Sequence, residues 1–142
     1  MIREFKKEDV DDVMKIWLET NLSAHPFVEA SYWYENYETV KEVIEEAEVY
    51  IYEEENEIMA FLGGVECYVA GLFVKSKCHR RGIGTNLIEF LKEKKNTLVL
   101  NVYVNNTAAT NFYIQNGFEI VEEKIESETN ESEYTMEWKK GI

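Results

Sequence analysis

Apolar positions recur with different periods along the chain, and each change of period marks an element. Ile2 to Phe5 alternates and predicts a short strand. Val10, Val13, Met14 and Trp17 follow at i, i+3, i+4 and i+7, one stripe of an amphipathic helix fading near Asn21. Glu8 and Asp9 suit its first turn through the helix dipole. A stretch rich in aromatics comes next and holds the only proline, Pro26, which is suited to open a second helix. Val40, Val43, Ile44 and Ala47 give that helix its stripe, ending near Glu48. Val49 to Tyr52, Ile58 to Leu62 and Glu66 to Val74 then read as a three-stranded meander. Gly71 inside the third strand marks a bulge or a close backbone approach.

The run Cys78 to Leu91 follows that meander and organises the rest. Ile83, Leu87, Phe90 and Leu91 have helical spacing. Arg80, Arg81, Gly82 and Gly84 lie between the strand and this helix. A glycine-containing turn at a helix start, with unpaired N–H groups and basic side chains, is an anion cradle suited to a pyrophosphate. It is not the dinucleotide fingerprint, because Asn86 and Leu87 follow Gly84 and Thr85. It is not the nucleotide P-loop, because no Gly-Lys-Ser/Thr occurs.

Thr97 to Val104 is the best strand by β-branched content. Asn105 to Thr107 introduce a short helix from Ala108 to Asn116, closed by Gly117. Phe118 to Ile125 and Ser132 to Lys139 are two last strands around an acidic turn. The order β α α β β β α β α β β predicts one α/β domain over residues 1–142 with a mixed sheet.

Composition narrows the partners. A net charge of −13 opposes nucleic acid and anionic membrane and favours cationic substrates such as amines. The apolar fraction of 45% is too high for disorder. No apolar run is long enough to span a bilayer, and Met1 to Val10 contains no signal core. Cys67 and Cys78 show no metal-ligand pattern. A cytoplasmic chain with reduced thiols and no metal is the expectation.

Two motifs now align with a known family. Leu72 to Gly84, followed by Asn101 to Phe118, resembles the GNAT superfamily of acyl-CoA-dependent N-acetyltransferases. The first stretch matches the family's strand and pyrophosphate loop. The second matches its Asn-x-x-Ala-x-x-Phe-Tyr signature at Asn106, Ala109, Phe112 and Tyr113. The segment from Ile16 to Trp33 is similar to the YiaC-type branch of small bacterial lysine acetyltransferases. His79 stands where the family's loop has Gln or Arg. That loop binds phosphate largely through its backbone.

The resemblance implies a GNAT fold, a mixed and mostly antiparallel sheet with two splayed central strands flanked by helices. It implies acetyl-CoA as acyl donor and direct attack by a primary amine, from a protein or peptide lysine or a small amine. Leu72, Phe73 and Val74 would hold the pantetheine arm. His79, Arg80, Arg81, Gly82, Ile83, Gly84 and Thr85 would hold the pyrophosphate, and Asn106 and Ala109 would support CoA. Tyr113 would touch the cofactor and protonate the departing thiolate. Glu66 and Tyr68, placed on one strand face by period two, and His25 are candidates to receive the amine proton. His25, Phe27 and Tyr68 would border the acceptor. A backbone N–H near Val74 would hold the oxyanion. The chain is expected as a monomer or homodimer. The alternative reading is an acyl-CoA-binding sensor without turnover.

Overall fold

The computed structural model describes residues 1–78 and 81–141. Its elements are β1 (Ile2–Glu4), α1 (Val10–Ala24), α2 (Ala30–Glu46), β2 (Glu48–Glu54), β3 (Glu57–Val65), β4 (Tyr68–Val74), α3 (Ile83–Lys94), β5 (Thr97–Tyr103), α4 (Thr107–Gln115), β6 (Glu119–Ile125) and β7 (Ser132–Lys139). The strands form one sheet in the order β1-β2-β3-β4-β5-β7-β6. Every neighbouring pair is antiparallel except β4 and β5, which are parallel.

Each face of the sheet carries its own core. Val13, Met14, Ile16 and Trp17 of α1 and Trp33 and Ile44 of α2 pack on Ile51 and Phe61. Leu87, Ile88 and Leu91 of α3 cover Leu98, Leu100 and Met136 on the opposite face. The alternation of β5 produces this split, with Leu98, Leu100 and Val102 all turned toward α3 and α4.

The helices near the aromatic segment differ from the sequence expectation. α1 continues past Asn21 to Ala24, where the His25 N–H still donates to the Asn21 carbonyl at 3.0 Å, and the buried Asn21 amide donates back to the Trp17 carbonyl at 2.9 Å. α2 begins at Ala30, and Pro26 lies in the preceding turn. Val43 is 53% exposed, so the stripe that packs runs through Trp33, Tyr37, Val40 and Ile44.

The β3–β4 hairpin sets up everything that follows. Its turn is only Glu66 and Cys67, with Glu66 at φ 55°. Glu66 is therefore not on a strand and does not share a strand face with Tyr68. Above the turn Gly64 pairs with Val69, but the next pair is Gly63 with Gly71. Ala70 is the extra residue, and a bulge of this kind bends its strand and increases the local twist. β4 and β5 pair only as Tyr68 with Val99 and Val69 with Leu100, then diverge at the bulge.

Gly64 makes the bulge sterically possible. A Cβ there would lie 2.3 Å from the Tyr68 carbonyl oxygen, a backbone atom that cannot rotate away. Gly64→Ala is expected to lose about 2 kcal/mol or more of stability in urea unfolding, as forced overpacking does. A variant as stable as the parent would mean that the hairpin forms without this close contact.

Candidate active site

Where β4 leaves β5, a cleft of about 800 Å³ opens between the strands and helices. Leu72, Phe73 and Val74 of β4 line one wall. Gly82, Ile83, Gly84 and Thr85 line the end at the start of α3. Asn106, Ala109, Phe112 and Tyr113 contribute from the cap and body of α4. Thr20 and Ala24 at the end of α1, with His25 and Phe27 just after it, close the remaining side.

Most residues singled out in the sequence thus converge on one cavity. His79 and Arg80 lie outside the described residues. Arg81 is not in the lining. Its guanidinium donates to Glu54 at 2.8 Å, on the protein's own surface. Glu66 and Tyr68 are not in the lining either, because they lie at the end where β4 and β5 are still paired. Tyr68 is 40% exposed, and its hydroxyl accepts from the Asn101 amide at 3.2 Å.

Gly82 is the N-cap of α3 and has a left-handed backbone, φ 78° and ψ 8°. Among the described residues no side chain caps the helix there, and a Cβ at Gly82 would meet nothing within 4 Å. An uncapped helix start beside open space retains its N–H donors and dipole for an anion. Behind it, a Cβ on Gly84 would press within 3.1 Å of the Phe112 ring. Gly84 thereby brings α3 close against α4.

Tyr113 is buried in an aromatic corner, edge-on to Phe112 at 5.2 Å and to Phe118 at 5.4 Å. Burial pushes its phenol well above the ordinary tyrosine range. The group therefore stays protonated throughout the physiological range.

His25 sits in an aromatic box. Its ring stacks on Trp33 at 5.4 Å and meets Phe27 and Tyr103 edge-on at 5.6 and 5.0 Å. Burial lowers its pKa from 6.5 to about 4. Nε2 lies 3.1 Å from the Asn106 amide nitrogen. An imidazole held neutral, with one ring nitrogen occupied, is poorly placed to take a proton from an amine.

Sequence reasoning missed Thr20, Ala24, Ser76, Cys78 and Phe112 as lining residues. One signal was available. Thr20 and Ala24 are one turn apart, and Asn21 is a polar residue continuing the apolar stripe of Trp17.

The bulge, the single short parallel pairing and the glycine-capped helix beside the cleft define an acyl-CoA transferase architecture. A family model for the acetyltransferase (GNAT) domain matches residues 45–120, more than half of the chain. The chain belongs to the GNAT acetyltransferase family. It is 33% identical over 140 residues to peptidyl-lysine N-acetyltransferase YiaC of Escherichia coli K12, covering 97% of this chain and 96% of that protein. Its fold matches the solution structure of apo YjaB from Escherichia coli with a TM-score of 0.87 at 21% identity, over 99% and 98% of the two chains. It also matches the PaiA N-acetyltransferase of Thermoplasma acidophilum, solved with coenzyme A, with a TM-score of 0.79 at 17% identity over 98% of each chain. The protein is an acetyl-CoA-dependent N-acetyltransferase. Among the described residues, no helix is long and apolar enough to cross a membrane, and no cluster of His, Cys, Asp and Glu could hold a metal.

The depressed His25 pKa has a direct consequence for stability. Between pH 6.5 and about 4 the unfolded chain binds a proton at His25 that the folded chain refuses. The contribution is complete above pH 6.5 and is lost as the pH falls toward 4. From pH 7 to pH 5.5 the parent should lose on the order of 1 kcal/mol more than His25→Phe, after allowance for solvent screening. Urea unfolding of both proteins at the two pH values measures this. Equal losses would mean that the ring titrates alike in the folded and unfolded states.

Proposed function

We propose that this enzyme acetylates lysine side chains of peptides or proteins in the cytoplasm, using the cleft residues described above. The cleft between β4 and β5 is the observation that carries the reading, since it is a slot of the right kind for a thioester tail. The diphosphate would lie at the start of α3 on backbone N–H groups from Gly82 to Thr85. The pantetheine arm would run along Leu72, Phe73 and Val74.

The amine nitrogen forms a bond to the thioester carbonyl carbon, and the carbon–sulfur bond breaks. A backbone N–H near Val74 stabilises the oxygen during that step. Tyr113 gives its proton to the departing thiolate and is reprotonated by the proton that the amine releases. The thiolate develops in the same poorly solvated corner as the phenol, which raises its demand for that proton.

The acceptor side is acidic, which supports a cationic substrate. Tyr32 at the start of α2 donates to Glu128 at 2.8 Å, tying α2 to the β6–β7 hairpin. Glu133 stands opposite Tyr103 in the sheet, and burial followed by the neighbouring Glu126 raises its pKa. Glu126 and Glu128 lie in and just before the same hairpin turn. A lysine approaching this wall would be drawn in by charge. The YiaC relative, named a peptidyl-lysine N-acetyltransferase, supports the same acceptor class.

A panel of lysine peptides and polyamines incubated with acetyl-CoA, read by mass spectrometry, tests the acceptor. Peptide lysine is expected to be the modified group, and acetylation confined to polyamines would overturn the assignment. In the same assay Tyr113→Phe should lose about a hundredfold or more in turnover, with CoA affinity changed less than threefold. Turnover near the parent value would remove Tyr113 from the acid role.

A further inference from the structure

The hydrogen bond between His25 and Asn106 joins residues 81 positions apart and links the turn after α1 to the cap of α4. Both residues line the cleft. The bond's chemistry is fully determined by its neighbours. The Asn106 side chain caps α4, and its Oδ1 accepts from the Ala109 N–H at 3.2 Å. The backbone N–H can only donate, so the amide oxygen must face Ala109. The amide nitrogen is then the atom facing His25. It can only donate, so His25 Nε2 must accept. The imidazole is therefore neutral and carries its proton on Nδ1.

This tautomer is locally unfavourable. Nδ1 is buried and has no hydrogen-bond partner among the described residues. A buried donor without an acceptor bears its full desolvation penalty. The other tautomer would satisfy nothing more, and it would set two donors against each other across 3.1 Å. Departures from local rules of this sort concentrate at functional positions. The aromatic box of Phe27, Trp33 and Tyr103 holds the ring in place despite that penalty.

We infer that His25 is a positioning residue whose Nε2 fixes the Asn106 amide, so that its second N–H donates to a carbonyl of the pantetheine arm of acetyl-CoA. The inference rests on acetyl-CoA occupying the β4–β5 cleft. It gives His25 a role distinct from proton transfer and from direct acceptor contact. Asn106 alone could rotate its amide; paired with His25 and Ala109 it cannot without losing both bonds. The expected effect falls on donor binding, because Asn106 and His25 both line the cleft.

Long-range proton–nitrogen NMR of the imidazole in the parent protein reads the tautomer directly. Nδ1–H is expected, and Nε2–H would overturn the proposal whatever any variant does. Calorimetric titration with CoA supplies the functional arm. His25→Phe keeps a ring in the box but removes the acceptor, and should weaken CoA binding about tenfold. His25→Gln returns an acceptor near the place of Nε2 and should recover affinity to within about threefold of the parent. Combining His25→Phe with Asn106→Ala should weaken binding no further than Asn106→Ala alone, as residues acting as one unit do. In steady state, His25→Phe should raise the KM for acetyl-CoA while kcat stays within about twofold. Equal CoA affinity in His25→Phe and the parent, or a Gln variant no better than Phe, would overturn the assignment. Absence of CoA binding by the parent would instead overturn occupation of the cleft by the donor.

Discussion

One extra residue in one strand creates the site. Ala70 has no partner across β3, and the bend that it introduces turns β4 away from β5 after only two paired positions. A parallel pair zipped along its length would satisfy its backbone groups internally and leave no room for a ligand. The interruption converts part of two central strands into the walls of a cleft. It also lets the elements that follow each strand, the start of α3 after β4 and the cap of α4 after β5, meet across the gap. The hairpin below keeps this opening from spreading, because Gly64 lets β3 approach β4 more closely than any other residue would allow.

The remainder of the fold supports that opening from both faces. α1 and α2 pack as a pair on one side, joined by Trp17 against Trp33 at 5.9 Å. α3 and α4 pack on the other, with Gly84 seated under Phe112. The end of α1 borders the cleft, and the chain turns through Pro26 before α2 begins. The aromatic turn left between them borders the cavity. It is bound to β5 by the contacts of His25 and Phe27 with Tyr103.

Much of this was legible because its causes are local. Period and turn chemistry identified all seven strands and four helices, and Gly71 flagged the bulge within one residue. Gly82 and Gly84 marked the turn into α3, although they act differently, one through a left-handed backbone and the other through helix packing. The differences arose where tertiary geometry decided. Glu66 belongs to an alternating run by sequence, yet a two-residue turn with positive φ removes it from the strand and from any shared face with Tyr68. Arg81 reads as a phosphate ligand beside two glycines, and in the structure its guanidinium is paired with Glu54, 27 positions earlier. The partnership of His25 with Asn106 has no sequence signal, because it depends on where two loops meet.

That partnership bears on how the two halves of the reaction share a cavity. Candidate donor contacts come from β4, α3 and α4, whereas the acceptor is expected from the side of α2 and the β6–β7 hairpin. His25 belongs to the acceptor side by sequence and touches the donor side by geometry. A charged imidazole there would repel an incoming ammonium and would present Asn106 with a donor where it needs an acceptor. Burial within Phe27, Trp33 and Tyr103 avoids both outcomes by keeping the ring neutral at physiological pH. The same desolvation that makes His25 a weak base suits the orienting role proposed for it.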